Sequence, residues 1–260
     1  MNKFSKTIAF AASVVALIGA GVVLALHAQA EVPPYFPTKL KNVSDSQQLI
    51  VVVGRSRTSS YSTAYTYQKG SDGIWRAKFS AMAARNGWAG WVWGSQRVQN
   101  TGTSPMGTYR ITTSFGLKTN PGTKVPYRRI DSNDYWVGDR YDPKTYNLFE
   151  PYASAKRTWR TSQAERLAAY PTQYEYSAVI NFNRPAASSV TWNSTYSEYV
   201  TSQPVNTTRG SAIFLHINGA GSTAGCVSLG RTNLINVLKW LDPSKKPRIV
   251  MAPLADIGLV

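Results

Sequence analysis

The chain has 260 residues, a length that fits one domain with a substantial core or two small domains. Its 29 lysine and arginine residues outnumber 13 aspartate and glutamate residues, and the resulting net charge of +16 favours polyanionic partners. The basic residues are scattered, so a merely solvated surface is an equally good interpretation. A single cysteine excludes an intramolecular disulfide, and the hydrophobic core must therefore hold the fold.

The first thirty residues have the pattern of a secretory signal peptide. Lys3 and Lys6 are followed by an apolar stretch over 8–26, and 28–30 supply the small-x-small cleavage pattern. The apolar stretch is also about long enough to span a bilayer, so an uncleaved N-terminal anchor is the alternative. Cleavage would remove two lysines and no acidic residue, which lowers the charge from +16 to +14.

Either outcome predicts a secreted or extracytoplasmic protein at the cell wall or cell surface. An exported basic protein meets anionic wall polymers instead of nucleic acid, so we expect wall polymers as candidate partners and no nucleic acid. Contact with the membrane is expected only through an uncleaved N-terminal segment.

Residues 31–45 are rich in proline and polar side chains and predict an extended leader onto a single domain over 46–260. Within that domain, short runs of β-branched and aromatic residues alternate with glycine and asparagine turns. This pattern predicts a mainly β fold, an antiparallel sandwich or barrel. The predicted strands are 48–53, 62–67, 74–79, 88–93, 107–113, 135–137, 175–182, 212–217 and 247–252.

Two segments predict short helices. Ser162 is a candidate N-cap with Glu165 at the spacing of a capping box, and this helix is expected to end at Tyr170, before a proline. The segment from Asn233 to Leu241 places leucine and valine on one face and stops at an Asp-Pro pair. We expect the second helix to pack against the sheet and to support the preceding cysteine-containing loop.

Beyond the first thirty residues the chain contains one histidine, His216, and one cysteine, Cys226. A cysteine attacks as its thiolate, and a histidine beside it is the usual proton acceptor. Small neighbours such as Gly225 would leave the sulfur accessible and free the amides of Gly225 and Cys226 to stabilise an oxyanion. The pattern predicts acyl transfer. The alternative is a small buried cysteine and a satisfied core histidine, although an exported protein rarely keeps an unpaired thiol without a use.

The segment around these residues resembles the L,D-transpeptidase family, the YkuD-type catalytic domain of bacterial cell-wall enzymes. Residues 214–216, Phe-Leu-His, are similar to the family's histidine strand, and 223–228, Thr-Ala-Gly-Cys-Val-Ser, are similar to its nucleophile motif. Residues 103–107, Thr-Ser-Pro-Met-Gly, are similar to a Thr-Pro-x-Gly turn that precedes a strand in the family.

The segment departs from the family pattern at two positions and in one spacing. Ala224 stands where the family usually has a second histidine, and Ser228 stands where it usually has arginine or asparagine. The interval from His216 to Cys226 is also shorter. These departures resemble a Thr-Ala-Gly-Cys subgroup of actinobacterial exported proteins.

The resemblance implies an exported cysteine acyltransferase that acts on peptidoglycan stem peptides. His216 would accept the proton of Cys226, the thiolate would attack an L,D peptide bond, and the thioester acyl-enzyme would pass its acyl group to an amine. No cofactor and no metal are expected. The resemblance implies oxyanion or support roles for Gly225, Thr223 and Ser228, and substrate contacts for Tyr127, Trp136, Asp139, Tyr146 and Asn147.

Two other functions stay open at this point. If water resolves the thioester, the same scaffold is an L,D-carboxypeptidase or peptide hydrolase. If Cys226 is incidental, the charge and the aromatic residues fit a non-enzymatic cell-wall-binding protein, although the alternating Trp88, Trp91 and Trp93 more often form a core face than a glycan platform. A catalytic thiol is expected to label rapidly near neutral pH, whereas a core thiol is not.

Overall fold

The computed structural model describes residues 37–260. The predicted signal or anchor segment, 1–30, and the start of the predicted leader, 31–36, lie outside the described residues. The rest of the leader packs onto the domain, because Leu40 and Val43 are buried in the main hydrophobic core. The amide of Lys41 also donates a hydrogen bond to the carbonyl oxygen of Val260 at 3.1 Å.

The described residues form a mainly β domain of short strands, as the sequence predicts. The strands are β1 (Gln48–Gly54), β2 (Tyr61–Lys69), β3 (Trp75–Ala77), β4 (Met82–Arg85), β5 (Trp91–Trp93), β6 (Ser104–Gly116), β7 (Tyr127–Arg129), β8 (Tyr135–Val137), β9 (Phe149–Glu150), β10 (Ala164–Arg166), β11 (Ser177–Ile180), β12 (Val190–Asn193), β13 (Glu198–Thr201), β14 (Phe214–Ile217), β15 (Val227–Leu229) and β16 (Arg248–Pro253). The α-helix of this region, α1, covers Arg231–Trp240. Short 3-10 helices lie at Pro37–Lys39, Thr161–Gln163, Leu167–Ala169, Gln173–Glu175, Ala187–Ser189, Pro243–Lys245 and Ile257–Leu259. Across 37–260, no helix has the length and apolar character needed to cross a bilayer.

The main sheet closes on itself like a barrel. Its strand order is β1-β16-β6-β11-β14-β15-β4-β2-β3, and β2 also pairs with β1. Closure leaves few free edges for aggregation. Most pairs are antiparallel, as predicted, but β1 with β16, β14 with β15, and β6 with both β5 and β7 are parallel. A two-residue hairpin turn cannot join parallel neighbours, so the turn signals that predict hairpins do not reveal these pairs.

Alternation along β14 separates two hydrophobic clusters. Leu215 and Ile217 pack in the main core, whereas Phe214 belongs to a second, largely aromatic cluster. Successive strand residues face opposite sides of a sheet, so His216 lies on the side of Phe214. Cys226, which immediately precedes β15, also belongs to the second cluster. The sheet thereby brings the thiol and the imidazole to the same face.

Helix α1 confirms the second helix predicted from the sequence and differs only at its ends. It begins at Arg231, and Leu234, Val237 and Leu238 are fully buried. The helix contacts β14, and the amide of Leu241 closes it by donating to the carbonyl of Val237 at 3.0 Å. The apolar face therefore supports the strand that carries His216.

The helix predicted to start at Ser162 and end at Tyr170 is wrong. The segment contains two 3-10 turns separated by β10, which pairs antiparallel with β8 and sets Glu165 opposite Trp136. A capping-box spacing expresses a local preference, and backbone pairing with β8 overrides it. Glu165 is consequently a residue of a small sheet, β10-β8-β9, instead of a helix cap.

Candidate active site

Cys226 and His216 line the same cavity, which has a volume of about 540 Å³. Their exposed fractions are only 8% and 6%, so both groups are reached through the cavity and not from the open surface. The loop 218–226 between β14 and β15, called the cysteine loop below, forms one wall. Other lining residues include Trp88, Arg97, Trp136, Glu165, Tyr170 and Tyr174. A cavity of this volume is typical of small-ligand sites.

Two backbone groups hold the sulfur of Cys226. The amide of Phe214 donates to Sγ at 3.3 Å, and the thiol donates to the carbonyl of Ala212 at 3.3 Å. Burial raises the pKa of the Cys226 thiol to about 12, the charge of Glu165 raises it too, and the Phe214 amide and Arg97 lower it. The thiol is therefore neutral in the free protein, and the expectation of rapid labelling near neutral pH is not supported.

A backbone carbonyl orients the ring of His216. Nδ1 lies 2.7 Å from the carbonyl oxygen of Ile217, and because a carbonyl can only accept, Nδ1 carries the proton and Nε2 keeps its lone pair. Burial lowers the pKa of His216 to about 4. Within residues 37–260 no hydrogen bond joins this ring to the sulfur of Cys226. The cavity therefore contains a neutral base and a neutral thiol instead of a preformed ion pair.

The amide and the carbonyl of Gly225 are both hydrogen-bonded to other protein groups. Its amide donates to Oγ1 of Thr223 at 3.1 Å, and its carbonyl accepts from Oγ of Ser104 at 2.7 Å. The expectation that this amide is free to stabilise an oxyanion is wrong, because Thr223 already occupies it. The amide of Cys226, by contrast, faces its own sulfur and lowers the thiol pKa. Ser104, from the Thr-Ser-Pro-Met-Gly segment, braces the loop.

We expect Gly225→Ala to destabilise the protein. Gly225 has φ +140°, and an added Cβ would lie 2.7 Å from Nη2 of Arg97 and 2.8 Å from the carbonyl oxygen of Thr103. Backbone strain of this kind costs about 1–3 kcal/mol. Gly221→Ala is the matched control, since a Cβ there meets no atom within 4 Å. Urea unfolding of both variants tests this, and equal stabilities would contradict the account of the loop.

Thr223 braces the cysteine loop through its side chain and its backbone. Oγ1 donates to the carbonyl of Cys226 at 2.6 Å while it accepts from Gly225. The Thr223 amide donates to the carbonyl of Asn86 at 3.0 Å, and the Thr223 carbonyl accepts from the amide of Trp88 at 2.8 Å. The geometry supports the predicted support role but not a direct oxyanion role.

Thr223→Val is expected to lower the free energy of unfolding by about 1–3 kcal/mol, because two buried backbone groups lose their partner. Thr223→Ser keeps the oxygen and is expected to stay close to wild type. Denaturant titration of the pair provides the measurement. If the two variants proved equally stable, the hydroxyl would have no bracing role.

Arg97 is a buried cation beneath the cysteine loop that sequence reasoning missed. Its exposed fraction is 4%, and its guanidinium donates to the carbonyls of Thr103 at 2.8 Å, Arg209 at 2.7 Å and Ala224 at 3.4 Å. Within 37–260 it forms no ion pair, and its charge lowers the pKa of Cys226. The partners come from three separate segments, so no local pattern could indicate this role.

Two predicted site residues lie outside the cavity wall. Ser228 is fully buried in β15, and its Oγ donates to Oδ1 of Asn218 at 3.0 Å. Tyr127 lies in β7, and its hydroxyl donates to the carbonyl of Lys118 at 2.7 Å. Each of these polar groups is thus bound elsewhere in the protein, so this geometry does not support the oxyanion role expected of Ser228 or the substrate contact expected of Tyr127, and both stay predictions.

Asp139 and Tyr146 are likewise structural in this geometry. Asp139 forms an ion pair with Arg160 at 2.5 Å and is 2% exposed. Tyr146 is fully buried, and its hydroxyl donates to Oε1 of Gln99 at 2.6 Å. Neither lines the cavity of Cys226, so this geometry does not support the expected substrate contacts, which stay predictions.

Trp136 is the predicted substrate-side residue that does line the cavity. Its Nε1 donates to Oδ1 of Asn147 at 2.7 Å, and the same oxygen accepts from the amide of Ala212 at 3.2 Å. Asn147 is 1% exposed and has φ +61°, so it fixes the indole and the backbone near the thiol instead of contacting a ligand. The hydrogen bonds of Asn147 thus favour a positioning role, and its expected substrate contact stays a prediction.

The alternating tryptophans divide between core and surface. Trp91 is buried, as the core interpretation predicts, whereas Trp88 is 59% exposed and lines the cavity. In the described part of the chain, no group of three or more histidine, cysteine, aspartate or glutamate side chains could hold a metal ion.

Residues 47–250 match the family model of YkuD, the L,D-transpeptidase catalytic domain. The match covers most of the chain, and the chain therefore belongs to this family. Members are typically cysteine-dependent transpeptidases, so membership supports L,D-transpeptidase-type catalysis on peptidoglycan stem peptides at the level of the family. A comparison with curated proteins finds no match. The resemblance to a Thr-Ala-Gly-Cys subgroup stays a prediction.

Proposed function

We propose that the protein is an exported cysteine acyltransferase that forms a thioester between Cys226 and a peptidoglycan stem peptide and then transfers the acyl group to an amine. The observation that carries this proposal is the shared cavity of Cys226 and His216 in a chain of the L,D-transpeptidase family. Export and a place at the cell wall or cell surface rest on the sequence pattern of residues 1–30.

Acylation starts from two neutral groups. The Cys226 thiol leaves the Ala212 carbonyl, gives its proton to Nε2 of His216, and its sulfur attacks the carbonyl carbon of the scissile amide. Burial disfavours both the thiolate and the imidazolium, so proton transfer accompanies the attack instead of preceding it. The Ile217 carbonyl accepts from Nδ1 and stabilises the imidazolium as it forms.

The tetrahedral intermediate then collapses to the thioester. His216 returns its proton to the leaving nitrogen, the carbon–nitrogen bond breaks, and the C-terminal fragment departs as an amine. The amide of Cys226, next to the sulfur, can donate to the oxyanion, a contact worth about 3 kcal/mol. The charge of Arg97 favours the anionic species at the same end of the cavity.

The thioester is resolved by a second nucleophile. An amine attacks its carbonyl carbon, the carbon–sulfur bond breaks, and His216 relays a proton to the departing sulfur. Water in the same position would give the carboxypeptidase or hydrolase alternative. The placement of Cys226 in a cavity wall supports an enzyme over the wall-binding alternative, in which the cysteine is incidental.

The test is incubation with a stem tetrapeptide, with and without an added amine, followed by mass spectrometry of the peptide products. We expect loss of the terminal residue and a new amide between the remaining tripeptide and the amine. Free tripeptide alone, in the presence of amine, would establish the hydrolase alternative. No product from folded protein would contradict an enzymatic function.

A further inference from the structure

Glu165 is the sole carboxylate among the described residues that line the cavity of Cys226 and His216. It projects from β10, which forms a wall together with Trp136 of the neighbouring β8. Its Oε1 accepts a hydrogen bond from the hydroxyl of Tyr174, and across 37–260 no lysine or arginine pairs with it. The carboxylate therefore has a neutral partner and no counter-cation.

Glu165 has neither a cation nor a backbone amide as a partner, whereas each buried carboxylate of residues 37–260 has one or the other. Glu150, Glu198 and Asp134 lack a cation but accept from the amides of Tyr199, Thr158 and Asp131. Asp139 pairs with Arg160 at 2.5 Å, and Glu175 pairs with Arg231 at 2.5 Å. A partly buried carboxylate without a charged partner is costly, and a basic chain of net charge +16 has cations in excess. An unpaired carboxylate facing a cavity fits a cationic group supplied by a ligand.

The other charged residue of the cavity wall does not fill this role. The guanidinium of Arg97 is engaged by three backbone carbonyls of the protein, at 2.7–3.4 Å. Burial raises the pKa of Glu165 to about 7, while the Tyr174 hydroxyl lowers it. A carboxyl group with such a pKa can take and release a proton near neutral pH.

We propose that Glu165 and Tyr174 form an ammonium-binding subsite that holds the acyl acceptor, a primary alkylamine in its protonated form, in the cavity that contains Cys226. Its part in catalysis rests on the proposed acyltransferase function, whereas its ability to bind an ammonium group does not. Glu165 supplies the negative charge, and Tyr174 fixes the carboxylate and packs edge-on against His216 with ring centroids 5.7 Å apart.

The subsite completes the proton balance of acyl transfer. An alkylammonium cannot attack until it loses a proton, and the Glu165 carboxylate accepts that proton to become a neutral carboxylic acid. The free amine attacks the thioester, the carbon–nitrogen bond forms, and the carbon–sulfur bond breaks. The second amine proton passes through Nε2 of His216 to the sulfur, and Glu165 later releases its proton to solvent.

The first experiment measures binding without turnover. Calorimetry compares Nα-acetyl-lysine amide with its Nε-acetylated counterpart on Cys226→Ala protein, with and without Glu165→Gln. We expect Glu165→Gln to weaken binding of the charged amine by about tenfold or more and to leave the acetylated probe unchanged. The control is Glu175→Gln, a carboxylate outside the cavity. Equal affinity of the charged amine for both proteins would overturn the proposal.

The second experiment measures how the acyl-enzyme partitions between amine and water. In Glu165→Gln, the ratio of amide product to hydrolysis product is expected to fall about tenfold or more with the lysine derivative. With hydroxylamine, which is uncharged at neutral pH, we expect Glu165→Gln and wild type to give the same ratio. The ratio does not depend on how fast the thioester forms. A ratio that falls equally for both nucleophiles would indicate a merely structural role for Glu165 and overturn the assignment.

The two experiments separate the two claims. If wild-type protein forms no thioester but binds the charged amine through Glu165, the proposed function fails and the subsite stands. If the thioester forms but neither binding nor partition responds to Glu165→Gln, the subsite is refuted and the acyltransferase function stands.

Discussion

Cys226→Ser is expected to abolish acyl transfer, lowering kcat on a stem tetrapeptide by roughly 10⁶-fold, the scale seen when a nucleophile is removed from a cooperating nucleophile and base. The hydroxyl occupies similar space but is a far weaker nucleophile, and the cavity already disfavours ionisation of the thiol. Product formation by mass spectrometry is the measurement, with near-UV circular dichroism to confirm the fold.

Ser228→Ala is the matched control for this substitution. Ser228 is fully buried two residues after Cys226, but it lies outside the cavity wall and bonds to Asn218. We expect its turnover to stay close to wild type even if its melting temperature falls. Near-wild-type turnover by Cys226→Ser, by contrast, would refute the assignment of the nucleophile.

His216→Gln is expected to lower the rate of acylation by about 10²- to 10⁴-fold, the usual contribution of a positioned general base. Glutamine can still donate to the Ile217 carbonyl, so the change removes the basic nitrogen with little other disturbance. Single-turnover acylation of Cys226 gives the rate. A variant that acylates as fast as wild type would show that His216 is not the base.

The pH dependence of wild-type acylation provides a second check on His216. Its pKa is lowered to about 4 because burial penalises the imidazolium, so the neutral base persists well below the ordinary histidine range. The decline that belongs to His216 should therefore fall at about pH 4. The profile is also measured for Glu165→Gln, because Glu165 has a pKa of about 7 and its charge acts on the Cys226 thiol. A decline centred near the ordinary histidine pKa of about 6.5 that persists in Glu165→Gln would contradict this environment for the ring.

The sequence was most informative where a local pattern coincides with a local structure. The leucine and valine spacing predicted α1, because packing of one apolar face decides that helix. The Gly-Cys segment and the histidine strand located the two groups that share the cavity. The mainly β fold also followed from local turns and β-branched runs, although the parallel pairs did not.

Residues that act through distant partners could not be predicted in this way. Arg97 contacts carbonyl groups from three segments, and Glu165 reaches the cavity only because β10 pairs with β8. The same carboxylate was expected to cap a helix, since Ser162 stands three residues before it. The pairing of β10 with β8 determines both the secondary structure and the environment of Glu165.

The family resemblance predicted substrate contacts for five residues, and one of these residues lines the cavity of Cys226. Trp136 faces the cavity, whereas Asp139, Tyr146 and Asn147 bond to other protein groups, namely the guanidinium of Arg160, the side chain of Gln99 and the carbonyl of Asn183. A residue can belong to a family motif because it positions the wall of the cavity, without contacting the ligand. Burial and hydrogen-bond partners, which sequence alone does not provide, separate these two roles.

The most direct test of the central claim is to measure the mass of the intact protein immediately after mixing with a stem tetrapeptide and quenching in acid. We expect one adduct equal in mass to the acyl tripeptide, located by peptide mapping on Cys226 and absent in Cys226→Ala. Turnover of the tetrapeptide with no such adduct at any quench time, or an adduct on another residue, would contradict a Cys226 thioester as the intermediate.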